Sequence, residues 1–185
     1  PTIRNCILRN NEAEYGAVLM LADTAHPLVE ACEFIGNHAV RGGGAYSTSG
    51  HGLILSRCEF YGNSAEYGGG VFCEDGSRCE VLDCSFFSNV AMYNGGGLQC
   101  TSVGDGILQD CVFAENEAEN KGGGAFFVQH TRAVIRRCTF WANGAVNNGG
   151  GVGFYDSVTG TLDNTIICES SQGEALYCPS SCTAE

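Results

Sequence analysis

Positive charge is scarce in this chain: nine lysine and arginine residues face 21 acidic ones, for a formal net charge of −12. A polyanion such as nucleic acid would be repelled, so that partner class is set aside. Long apolar runs are missing too, and none approaches the ~20 residues of a spanning helix, so no membrane span is expected. There is no Cys-x-x-Cys pair, and His26, His38, His51 and His130 stand at unrelated places in the pattern described below. A zinc site or a histidine-based triad therefore lacks its residues. No Asp-x-Asp-x-Asp run suggests calcium, and no metal or other cofactor is expected. Glycine or Asn-Gly breaks every window long enough for a helix.

What the chain has in excess is glycine, at 27 residues, and cysteine, at 12, with only three prolines. Because 44% of the residues are hydrophobic, glycine at a fixed period marks a repeat and not a disordered chain. The lead cysteines are Cys6, Cys32, Cys58, Cys84, Cys111 and Cys138, spaced 26, 26, 26, 27 and 27 residues apart, and Thr165 holds the next place. Two residues later come Leu8, Phe34, Phe60, Phe86, Phe113, Phe140 and Ile167. Asn11, Asn37, Asn63, Asn89, Asn116 and Asn143 follow three further on, then Ala13, Ala39, Ala65, Ala91, Ala118 and Ala145. Glycine triplets end at Gly44, Gly70, Gly97, Gly124 and Gly151, always 14 residues before the next lead position. The step from 26 to 27 therefore sits between alanine and glycine, where Tyr93-Asn94, Asn120-Lys121 and Asn147-Asn148 replace one residue such as Tyr67. That point reads as a loop.

Inside the unit the period is two. Leu53 and Leu55, Cys58 and Phe60, and Val71 and Cys73 alternate as short strands with one face inward. Three such strands per turn, matched from copy to copy, predict an all-β parallel β-helix of about seven turns over residues 1–178, with a Cys-containing tail at 179–185. One turn cannot bury its own apolar face, and stacking at about 4.8 Å per turn creates the continuous core. The asparagines would hydrogen-bond from turn to turn at a corner.

Phe60-x-x-Asn63 with Gly69-Gly70-Val71, and Phe113-x-x-Asn116 with Gly123-Gly124-Ala125, resemble the FxxN and GGA-(I/L/V) repeats of chlamydial polymorphic outer-membrane proteins. They are also similar to the wider group of bacterial secreted right-handed parallel β-helix repeat proteins, as is the ending Gln172 to Cys178. The resemblance covers about residues 1–178. It implies a right-handed coil and an adhesin or surface protein, without assigned chemistry and without the barrel that would anchor it.

The cysteine column suits a core of stacked thiols, although disulfides accept Cα separations of roughly 4.4–6.8 Å and neighbouring turns could be bridged. Cys73 and Cys100 share a second column and are candidates for a bridge, with Cys79 able to compete for Cys73. Cys168, Cys178 and Cys182 cluster at the end, where at least one disulfide is expected. Twelve cysteines of this kind favour an oxidising compartment, and with Pro1 in place of a leader the chain reads as a secreted or cell-surface segment.

Three functions compete. A structural or adhesive module without catalysis is favoured, because an active site normally breaks the repeat with a long loop and the 14-residue segment is constant. Such a module could stack end to end on itself as a filament. Carbohydrate binding would use outward aromatics, Tyr61, Phe87 and Trp141 in one column and Tyr46, Phe72 and Phe126 in another. A polysaccharide lyase would use Asp83 and Asp110, which stand with Arg57 and Arg137 just before the lead cysteines. That column reads more simply as a surface ladder of opposite charges.

Overall fold

The computed structural model describes residues 1–21, 27–48 and 52–179, and the backbone of Cys182–Ala184. Every regular element among them is a short strand, and every strand pairs in parallel with its equivalent one turn away. A representative turn runs Gly52–Ser56, Glu59–Tyr61, Ser64–Tyr67 and Val71–Glu74. These four strands enter four stacked sheets, here sheets A, B, C and D in that order.

The turn thus has four strands, one more than expected. The extra strand is Ser64–Tyr67 with its equivalents; only alanine faces inward there, so its apolar alternation is too short to read. Six turns carry all four strands, and a seventh carries part of them. Cys182–Ala184, placed in a tail by the sequence, pairs with Thr159–Asp163 as the eighth strand of sheet A.

The core is a set of vertical columns. Phe34, Phe60, Phe86, Phe113 and Phe140 stack with ring centroids 4.4, 4.7, 4.5 and 4.8 Å apart and planes within 8° of parallel. Strand spacing dictates that distance, since each ring hangs from the same position one rung higher. All five are fully buried, and each contributes on the order of 1.5–3 kcal/mol of burial. Val29, Leu55, Val81, Leu108 and Ile135 line sheet A in the same way.

Corners are made by residues with positive φ. The position before each lead residue, from Asn5 through Arg57, Asp83, Asp110 and Arg137 to Asn164, has φ between 47° and 56°. That conformation turns the side chain outward and lets the lead cysteine point in. Each glycine of a triplet has its own reason to be glycine. Gly68 has φ 62°, a Cβ on Gly69 would lie 2.4 Å from the carbonyl oxygen of Gly96, and one on Gly70 would lie 2.6 Å from that of Gly97.

Where the repeat lengthens, sheet C shifts register between Ala65 and Tyr67, so that Tyr67 pairs with Asn94. The extra residue is a β-bulge and not a free loop, because Asn94, Lys121 and Asn148 continue to bridge from turn to turn.

Candidate functional site: the outer faces of the coil

The two internal ladders use up their own chemistry. Asn37, Asn63, Asn89, Asn116 and Asn143 are buried, and Asn11 at the first turn is exposed. Asn63 shows the pattern: its amide nitrogen donates to the Phe34 carbonyl and to Asn89 Oδ1, both at 2.9 Å, and its Oδ1 accepts from the backbone and side chain of Asn37. No valence is left for a ligand.

Cys6, Cys32, Cys58, Cys84, Cys111 and Cys138 are free thiols. Each donates to the carbonyl two residues before it at 3.1–3.4 Å. A thiol pointed at a carbonyl behaves as a small core residue. The neighbouring sulfur of Cys58, and then burial, push the Cys84 thiol up, which keeps it protonated.

The candidate bridge between Cys73 and Cys100 is not formed, nor is one to Cys79: all three are free thiols. Cys73 Sγ lies 2.8 Å from Cys79 Sγ, and the Cys100 thiol interacts with both, so the three form one buried cluster of thiols. Cys168 is also free. Cys178 is not among the free thiols, and the side chain of Cys182, like His26 and His51, lies outside the described residues.

The aromatic column of sheet D is a second correction. Tyr46, Phe72 and Phe126 point outward yet are only 3–4% exposed. Residues of the two flanking corners lie over them. Tyr15 sits 5.4 Å from Tyr46 and Tyr67 sits 6.4 Å from Phe72, while the Arg41 guanidinium lies 5.8 Å from the Phe72 ring. Tyr155 packs 5.4 Å from Phe126 and takes the Lys121 ammonium at 4.0 Å. Beneath this cover Glu74 accepts from Arg41 at 2.7 Å and from the Tyr46 hydroxyl. Burial, then the bond to Glu74, raises the Tyr46 phenol above its ordinary value. The column is a small outer core and presents no aromatic surface.

On sheet B the aromatics are divided. Tyr61 is 51% exposed and Trp141 41%, Phe87 is half-buried, and Ala114 between the last two leaves a step. The Trp141 indole donates to Glu169 at 2.9 Å.

The charged corner of sheet A is paired internally. Arg137 grips Asp110 with two bonds of 2.6 and 2.7 Å, Arg132 meets Asp105 at 2.6 Å, and Glu30 lies between Arg4 and Arg57. The arginines hold Asp110 and Asp105 below the usual carboxylate range. Asp83 has no ion-pair partner among the described residues, so Asp83 and Asp110 are not a matched acid and base. Among the described residues no three His, Cys, Asp or Glu side chains are grouped to hold a metal ion.

Sheet C carries a feature absent from the expectations. Its outer face is hollowed into two adjoining depressions of about 260 and 140 Å³, which share Val90 and Glu119. The residue after each inward alanine forms the column Glu14, Val40, Glu66, Met92, Glu119, Val146, acid and apolar by turns. Val40, Val90, Met92 and Val146 are 38–59% exposed. The alternation was legible in the sequence, but only once the alanines are known to mark a strand.

The family description "right handed beta helix region" matches residues 1–168, the greater part of the chain. The chain belongs to the right-handed β-helix family. Comparison with curated proteins and with solved structures gives no match. Family membership supplies the hand of the coil and leaves its function to the particular faces described above.

Proposed function

We propose that this right-handed β-helix is a non-catalytic structural or adhesive module of an extracellular surface, a rigid rod that offers its outer faces to a partner. The observation that carries this reading is the state of the charged corner. The carboxylate best placed for acid–base work, Asp110, is held by Arg137 in a bidentate pair, and the corners around it stay short. A catalytic carboxylate needs a pKa near its working pH, and an arginine partner moves it the other way. The acidic composition and the resemblance to chlamydial surface repeats support the extracellular setting. Incubation with a broad panel of polysaccharides tests the reading, with release of new chain ends as the readout. Cleavage that disappears in Asp110→Asn would overturn it; no cleavage is expected.

A glycan-binding reading is favoured by one observation, the exposure of Tyr61 and Trp141 on sheet B. It predicts a change in Trp141 fluorescence with some polysaccharide, and a flat response across the panel would count against it. The uniformity of the turns also supports end-to-end stacking of copies, which a strictly monomeric state at high concentration would refute.

A further inference from the structure

We propose that the outer face of sheet C is a docking groove for an extended cationic polypeptide in the polyproline-II conformation, with a basic residue at every third position. This names a partner for the scaffold described above and rests on that reading.

The first support is unsatisfied charge. The arginine–carboxylate pairs lie on sheet A or at the covered corner of sheet D. Glu12, Glu14, Glu66 and Glu117 on sheet C, and Glu119 directly after its strand, have no ion-pair partner among the described residues. With a net charge of −12, a second copy of the chain or an acidic polymer would be repelled from this face, and a cationic segment attracted.

Spacing is the second support. Glu14, Glu66 and Glu119 stand on alternate turns, about 9.6 Å apart along the coil axis at about 4.8 Å per turn; Glu119 follows directly on the strand Glu117–Ala118. A polyproline-II helix advances about 3.1 Å per residue with three residues per turn, so every third side chain returns to the same side after about 9.3 Å. Over three acids the mismatch stays below about 1 Å. A β-strand fails this match: its third residue is at a similar distance but points to the opposite face.

The third support is what lies between the acids. Val40, Met92 and Val146 are exposed on the intervening turns. Proline rings or other apolar side chains between the basic residues would cover them, removing apolar surface that nothing in the described fold covers. Polyproline-II segments also lose little conformational entropy on docking, which suits a shallow groove.

The test uses the full chain and a labelled peptide of four Pro-Pro-Arg repeats, read by fluorescence anisotropy at physiological ionic strength. An isomer with the same composition and contiguous arginines serves as the spacing control. Saturable binding is expected, at least about tenfold tighter for the repeat than for the isomer, a difference of about 1.4 kcal/mol. The double variant Glu66→Gln/Glu119→Gln should weaken binding at least about tenfold, while Trp141→Ser on sheet B should leave it unchanged. Circular dichroism checks that both variants keep the fold. Absent binding, equal affinity for both peptides, or sensitivity to Trp141→Ser but not to the glutamate pair would each overturn the proposal. So would a glycan whose binding depends on Glu66 and Glu119 in the absence of any peptide binding. Cleavage of a polysaccharide would sink the non-catalytic reading yet leave peptide binding standing, so the two failures are distinguishable.

Discussion

The outer faces of sheets C and D are built on the same backbone repeat and end in opposite states. The outward side chains Tyr46, Phe72 and Phe126 on sheet D are aromatic, and Tyr15, Arg41, Tyr67 and Lys121 from the corner before the sheet, with Tyr155 from the corner after it, are long enough to fold over them. Outward side chains on sheet C are glutamate, valine and methionine, and no neighbouring column reaches across. One face is thereby a second core and the other an open groove. Direction in a strand says which way a side chain points, and burial then depends on the size of the column next door.

The contrast can be broken most severely at the corner that leads into sheet C. Asn89→Ala removes the acceptor for Asn63 and the donor to Phe60, all within a fully buried ladder. Chemical denaturation should show a loss of at least about 3 kcal/mol, since several buried polar groups lose partners at once. Next comes a matched pair of truncations. Phe72→Ala on the covered face should cost about 3–4 kcal/mol, as for a buried core aromatic, whereas Met92→Ala on the open face should cost less than about 0.5 kcal/mol. Equal losses would mean that the two faces are alike.

Alkaline pH sharpens the same contrast with a smaller effect. The fold raises the Tyr46 phenol above 10, by burial and by its bond to Glu74, so the folded state favours the neutral form. That contribution is complete below pH 10 and is lost as pH climbs through the raised value. Melting temperatures of the native chain should therefore fall faster between neutral pH and strong alkali than those of Tyr46→Phe. The smallest effect is expected on sheet C, where Glu66→Gln/Glu119→Gln should alter stability by no more than about 0.5 kcal/mol, because both carboxylates lie outside any ion pair. A large loss there would show that the open face is structural.

Much of the fold was legible because the repeat overdetermines it. Cys58, Phe60, Asn63, Ala65 and Gly70 recur at constant offsets, and constant offsets require equivalent positions stacked in register. The fourth strand was hidden because Ala65 alone faces inward along it, and one small residue makes no pattern. The Cys73–Cys100 bridge was misjudged for a related reason. Shared columns place Cys73 and Cys100 on adjacent turns, but Cys79 enters the same cluster and shares the Cys73 thiol with Cys100.

The sequence by itself determined the coil, its turn length, its internal ladders of phenylalanine, cysteine and asparagine, and the site of its one-residue insertions. Those follow from periodicity, a property of the chain taken one residue at a time. Only the tertiary structure decided which outward residues meet water. Tyr46, Phe72 and Phe126 are covered while Val40, Met92 and Val146 are not. Exposure depends on the reach of side chains from neighbouring columns and turns, and no spacing along the chain records that distance.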